Sequence, residues 1–224
     1  MIVTVNSPTN SVLREKTIPV ISGDQAVAAI LALEHEMGGL PNAVGLSGPQ
    51  IGLSLSVAII RHNGVRINLI NPSIIGGGSE FTSHKEGCVS FPGRCFEVPR
   101  FGVVRIKNHI LWPAAVGSVP VDSDVNRKPI DRLNPPKGMT LVPVEQVYVY
   151  ENPVEDHGGI IAVAVQHEID HLFGVTIDSK EGSKEHYEMA TGDNKVGRND
   201  PCPCGKKDAA GNPVKFKKCC FKMS

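Results

Sequence analysis

With 224 residues, of which 41% are hydrophobic and 21% charged, the chain has room for one substantial soluble domain and an appendage. Met1-Ile2-Val3-Thr4-Val5 lacks the basic start and long apolar core of a secretory signal, and it is not the Arg/Ser-rich stretch of a transit peptide. No apolar run reaches membrane-spanning length, so a cytosolic protein without a membrane partner is expected. The formal charge of zero hides an asymmetry: Lys195 to Ser224 hold eight Lys/Arg against two Asp, leaving the acidic excess to residues 1–194. An acidic body with a basic tail points to an anionic partner for the tail.

Residues 24–37 set Val27, Ile30, Leu31 and Met37 at helical spacing behind Asp24, a good N-cap, and predict a helix. Segments 55–60, 65–70 and 103–106 are short, β-branched and bounded by Gly, Pro or Asn, and predict strands. Segment 144–150 predicts another. Trp112 to Pro143 hold six prolines and no sustained period, which predicts an extended surface loop. The apolar run 159–165 predicts a buried helix that continues through Gln166-His167-Glu168-Ile169-Asp170-His171 and stops near Gly174. A polar run from about Lys180 to Val196 then joins body to tail. Strands in the middle with helices near both ends give an α+β chain rather than alternating βαβ units.

On that last helix His167 and His171 leave the same face one turn apart, so both imidazoles can bind one metal ion. Glu168 stands beside them as a proton carrier. Such a centre usually takes a third protein ligand. A metzincin would need histidine at position 177, where Ile stands. Glu181, Glu185 or Glu188 would give a thermolysin-like zinc endopeptidase. Cys88, in Glu86-Gly87-Cys88-Val89-Ser90, would give a softer thiolate site suited to Fe(II) or Zn. A third segment, Gly45-Leu46-Ser47-Gly48-Pro49-Gln50-Ile51-Gly52, is a glycine-rich turn whose Gln50 amide could face a developing oxyanion.

In order along the chain, Ala43-Val44-Gly45-Leu46-Ser47-Gly48-Pro49-Gln50, Glu86-Gly87-Cys88-Val89-Ser90 and Gln166-His167-Glu168-Ile169-Asp170-His171 closely resemble the three motifs of the peptide deformylase family. Val12-Leu13-Arg14, Asn71-Pro72 and Val98-Pro99-Arg100 echo it more faintly. The resemblance implies antiparallel sheets around a central metal-binding helix, in a catalytic domain over 1–180 that the proline-rich 112–143 interrupts. It implies one divalent metal on Cys88, His167 and His171, Fe(II) by preference with Zn(II) or Ni(II) as substitutes. Glu168 would be the general base, and Gln50 with the Val89 backbone N–H the oxyanion donors. Backbone at Val44 and Gly45 would bind an N-formyl-methionyl nascent peptide. Asp170 and Arg100 are expected to pair behind the site. Ala43, Ser47-Gly48, Val89, and Cys95 beside Arg94 depart from the usual pattern, but no ligand or base is lost. An inactive, deformylase-like adaptor would need none of these residues together.

After a linker over 181–196, residues 197–224 carry Pro201-Cys202-Pro203-Cys204-Gly205, a lysine-rich stretch and Cys219-Cys220. This resembles the small zinc-binding tail of the secretion ATPase. That likeness implies a structural Zn(II) on Cys202, Cys204, Cys219 and Cys220, closing a small knuckle. Its lysines suit ribosomal RNA or an acidic protein surface.

Overall fold

The computed structural model describes residues 1–114, 129–149 and 159–180, together with 212, 214 and 215; the side chains of 79–85 are left aside. Helix α1 spans Gly23–Met37, and Ser22 rather than Asp24 caps it. Ser22 has the extended backbone an N-cap requires, and its hydroxyl accepts the Gln25 N–H at 3.2 Å. Asp24 lies inside the first turn, where its charge complements the helix dipole. The buried positions Ala26, Val27, Ala29, Ile30 and Leu33 recur at helical spacing and form one core-facing stripe.

Strands β1 (Gly45–Ser47), β2 (Val57–His62) and β3 (Val65–Ile70) make an antiparallel sheet in that order. The predicted 55–60 strand therefore starts two residues late, since Leu55 makes only an isolated bridge to Ile18. In β2, Val57-Ala58-Ile59-Ile60 is fully buried on both faces. Val57 and Ile59 pack toward α1, while Ala58 and Ile60 pack toward α2 (Ile160–Leu172). The two-residue period of a strand thus inserts this sheet between the two helices. Burying Ile59 and Ile60 contributes about 1.5–3 kcal/mol each.

A second antiparallel sheet runs β4 (Ser73–Gly87), β5 (Cys95–Pro113), β6 (Met139–Val149). The predicted strands 103–106 and 144–150 are segments of β5 and β6. These two pair from Val103↔Val149 to Pro113↔Met139, so the expected loop over 112–143 is a strand at both ends. The prolines are compatible with this ladder because of where they stand. Pro143 lies on the outer strand β6, where a missing donor is tolerated, and Pro113 ends β5. β4 contains Gly76-Gly77-Gly78, a run with low intrinsic strand preference. Gly77 is needed there, since a Cβ would lie 2.3 Å from the Phe101 ring across the ladder.

Helix α2 starts after Gly159 (φ 85°) and ends before Gly174 (φ 73°). A Cβ at Gly174 would meet the Arg14 carbonyl oxygen at 2.7 Å, so both the turn and the passing N-terminal segment demand glycine. A one-turn helix, α3 (Ile177–Lys180), follows and packs Ile177 against Phe91, Phe96 and Val98. No helix among the described residues is long and apolar enough to cross a membrane.

Candidate metal centre

Helix α2 is held by its own Gln166. The side-chain amide accepts the Phe101 N–H at 2.8 Å and donates to the Phe101 carbonyl at 2.9 Å, so it imitates a neighbouring strand on β5. One residue on, His167 and Glu168 turn into the interior, and His171 follows one turn later. All three are buried, with exposures of 9%, 3% and 1%. The two Nε2 atoms face each other at 3.2 Å, and His171 Nε2 lies 3.3 Å from Cys88 Sγ. The three donor atoms all fall within 4.8 Å of one another.

That spacing fits a tetrahedral ion. Metal–nitrogen bonds of about 2.0–2.1 Å and a metal–sulfur bond of about 2.3 Å imply N···N near ~3.4 Å and S···N near ~3.6 Å. The His167–His171 separation of 3.2 Å and the Cys88–His171 separation of 3.3 Å are within a few tenths of an ångström of these. One thiolate with two imidazoles is a donor set for Zn(II) or Fe(II) rather than for Mg(II) or Ca(II). Glu168 Oε2 is buried with no partner among the described residues, so polar capacity remains at the centre, and His171 Nδ1, directed away from the ligating Nε2, is likewise unpartnered there.

The electrostatics prepare the ligand. Burial pushes the Cys88 thiol up, but the imidazoles of His171 and His167 outweigh it and lower it to about 5, which favours the ligating thiolate. For Glu168 burial is the largest influence, and it holds the carboxyl above its ordinary range despite the opposing pull of His167 and His171.

Gln50 sits on the 3-10 turn Gly48–Ile51 that follows β1. Its Oε1 accepts from both the Ser47 N–H and the Ser47 hydroxyl, each at 2.8 Å. With the oxygen engaged twice, Nε2 must point the other way, and it donates to Cys88 Sγ at 3.3 Å. The Val89 N–H, next along the chain from Cys88, has no partner among the described residues. Gly45 pairs with Ile60, and Val44 accepts the Arg61 N–H at 2.8 Å. β1 is the outer strand of its sheet, so among the described residues its far edge has no ladder partner. Gly45 has a second role: a Cβ there would lie 2.4 Å from Glu168 Oε1.

Behind the histidines runs a buried chain of charges. Glu86 Oε2 lies 3.1 Å from His167 Nδ1, and a register shift in β4 just before Glu86 aims it there. Arg100 grips Glu86 through Nη2 at 2.6 Å and Nε at 2.8 Å. Its Nη1 donates to Asp170 Oδ2 at 2.6 Å, which is the expected Arg100–Asp170 pair. Lys180 Nζ completes the chain, 2.7 Å from Asp170.

Sequence reasoning therefore placed Cys88, His167, His171, Glu168 and Gln50 together, and the structure brings all five to one point. It missed the supporting contacts of Ser47, Glu86, Gln166 and Lys180. Glu86 and Gln166 stood inside quoted motifs, two residues before Cys88 and one before His167, whereas Lys180 looked like the start of a polar linker. Cys202, Cys204, Cys219 and Cys220, like Glu181, Glu185 and Glu188, lie outside the described residues. Cys95 is exposed and has no disulfide partner among the described residues.

Comparison with known proteins agrees with this geometry. A family model for polypeptide deformylase matches residues 1–109. Peptide deformylase 1 of Bacillus anthracis is 32% identical over 173 residues, covering 76% of this chain and 86% of that protein. The peptide deformylase of Borreliella burgdorferi is 31% identical over 168 residues, covering 74% and 79%. The crystal structure of the Thermotoga maritima peptide deformylase superposes with a TM-score of 0.56 over 82% of this chain and 97% of that one, at 24% identity. The three-motif geometry, the shared fold and relatives matched over most of their length lead to one conclusion: the chain belongs to the peptide deformylase family.

Proposed function

We propose that this protein is a peptide deformylase that hydrolyses the N-terminal formamide of formyl-methionyl peptides on newly made proteins, releasing formate. The observation that carries the reading is the meeting of Cys88 Sγ with two histidine Nε2 atoms beside a buried Glu168 carboxylate that has an oxygen to spare. Cys88, His167 and His171 would hold the divalent metal, Fe(II) by preference, with Zn(II) or Ni(II) able to replace it. Once bound, the ion supplies Lewis acidity that makes water a competent nucleophile near neutral pH.

The remaining work falls to the chain. Glu168 takes a proton from the attacking water. As the formyl C–N bond breaks, the same carboxyl returns a proton to the leaving amine nitrogen, so the products are formate and a free N-terminus. Gln50 Nε2–H and the Val89 N–H donate to the formyl oxygen as it gains charge. The peptide lies along the open edge of β1, bonded to backbone at Val44 and Gly45 as an added strand. The buried polar groups are aimed before substrate arrives, so little reorganisation is needed in the transition state.

In the same reading, residues 1–180 form the catalytic unit, 181–196 a linker, and 197–224 a zinc knuckle in which Cys202, Cys204, Cys219 and Cys220 bind a structural Zn(II). Its excess of lysines supports contact with an anionic surface, the ribosome first and an acidic protein second. A cytosolic location follows from the substrate. Formate release from a formyl-Met tripeptide by anaerobically purified, Fe(II)-loaded protein tests the activity, with Glu168→Ala as the inactive control. Metal-loaded protein that yields no formate would overturn it. For the tail, full-length protein should bind ribosomes more tightly than a Cys202→Ser/Cys204→Ser variant, and equal binding would remove the ribosome.

A further inference from the structure

Lys180 ends the last described helix and opens a polar stretch of sequence, yet it is only 3% exposed. A lysine loses its hydration shell there at considerable cost unless a partner replaces it. That partner is Asp170, on the helix that carries both histidines and one residue before His171. Asp170 is shared: Arg100 Nη1 reaches the same carboxylate at 2.6 Å, while Nη2 and Nε hold Glu86 and Nη2 also lies 3.5 Å from His167 Nδ1. Arg100 thus stands between two carboxylates, and among the described residues Lys180 supplies the second positive charge of this buried group of four.

Charge balance decides where Arg100 goes. With Lys180 present, Asp170 has a cation of its own and Arg100 keeps its two-pronged grip on Glu86. Glu86 then keeps its oxygen on His167 Nδ1, which fixes the ring with Nε2 directed at Cys88 and His171. Without the lysine charge, one guanidinium must neutralise two buried carboxylates, and the contact to Glu86 weakens. We propose that Lys180 is a positioning residue for the metal centre, acting through Asp170, Arg100 and Glu86 on the orientation of His167. The inference rests on the metal-hydrolase reading of the site, and it gives a function to the residue with which the catalytic unit ends.

The test uses the full chain with Lys180→Met, Lys180→Arg and Lys180→Gln, each loaded with Co(II). Metal affinity is measured by chelator competition, the centre by its thiolate-to-cobalt absorption, and turnover by formate release. Lys180→Met should bind metal on the order of 10- to 100-fold more weakly, with an altered absorption band. Its kcat should fall while KM for the formyl peptide stays within about twofold, because Lys180 acts through Asp170 on α2 and not through β1. Lys180→Arg, which keeps the charge, should recover most of the affinity. Arg61→Met removes another largely buried cation, paired with Glu34 at 2.6 Å away from the centre, and should lower stability without changing metal affinity. Lys180→Gln keeps a donor for Asp170 and carries the test if Lys180→Met does not fold. Wild-type affinity and spectrum in the uncharged variants, with only a loss of stability, would overturn the proposal. Tight cobalt binding by the wild type without formate release would instead remove the deformylase reading and leave this one standing.

Discussion

Gly45 offers a direct test of how the general base is held. An alanine at this position would put its Cβ 2.4 Å from Oε1, 2.8 Å from Cγ and 2.9 Å from Cδ of Glu168. Ordinary contact begins near 3.4 Å, so the carboxylate must retreat by about 1 Å. Rotating the oxygens away gives no relief, because the whole end of the side chain lies against the glycine. Glu168 is 3% exposed, so there is little free space to move into. Misplacement of a catalytic group by about 1 Å costs on the order of 100-fold in rate, or about 2.7 kcal/mol of transition-state stabilisation. Gly45→Ala should therefore lose roughly two orders of magnitude in kcat for formate release. Its metal content should stay at the wild-type level, since the three atoms nearest the new methyl all belong to Glu168 and none to a ligand. A Gly45→Ala/Glu168→Ala double variant should be no slower than Glu168→Ala alone, because the methyl acts only through the carboxylate. Turnover of Gly45→Ala within threefold of wild type, at full metal loading, would refute the reasoning.

Three further outcomes follow from the same contacts. Ser47→Ala removes one of two donors on Gln50 Oε1 and loosens the amide, so kcat should fall by about 2- to 10-fold, the equivalent of one hydrogen bond, with metal affinity unchanged. Gln166→Ala leaves the Phe101 N–H and carbonyl without their partner on α2, and urea unfolding should show a loss of about 1–3 kcal/mol. Asp178 is raised by burial, but Thr176 and Arg14 outweigh that and hold its carboxyl below the ordinary range. A depressed folded value means the pair stabilises above the unfolded carboxyl range near ~3.9 and stops doing so as pH falls through the folded value. The stability gap between wild type and Asp178→Asn, about 0.5 kcal/mol at pH 7 for a pair this exposed, should close in acid, as urea titrations at the two pH values will show.

The parts of the fold that local rules determine were legible from sequence. Val27 and Ile30 sit at helical spacing, and the interior of α1 follows from them; the strand 65–70 was read to the residue because Asn63-Gly64 before it and Asn71-Pro72 after it mark both turns. Less legible was whatever depends on a partner elsewhere in the chain. Gly76-Gly77-Gly78 signals a loop by composition, yet it is strand because β5 pairs with it and Phe101 fills the space a side chain would need. Pro113 and Pro143 signal a break, yet they lie in a ladder because one ends a strand and the other lies on an outer edge.

The metal centre divides along the same line. His167, Glu168 and His171 were readable because helix geometry alone puts them on neighbouring faces, and Cys88 and Gln50 because a motif surrounds each. The residues that keep them in place are chosen by what lies opposite in space. Ser47 matters because its hydroxyl reaches Gln50 Oε1. Glu86 matters because the end of β4 passes under His167, and Lys180 because a short helix folds back over Asp170. A lysine at the start of a polar stretch carries no local mark of burial; only the presence of two carboxylates and one arginine in the same interior makes a second cation necessary. Charge neutrality of a buried cluster is thus a property of the assembled chain, and it can assign a role to a residue that composition reads as linker.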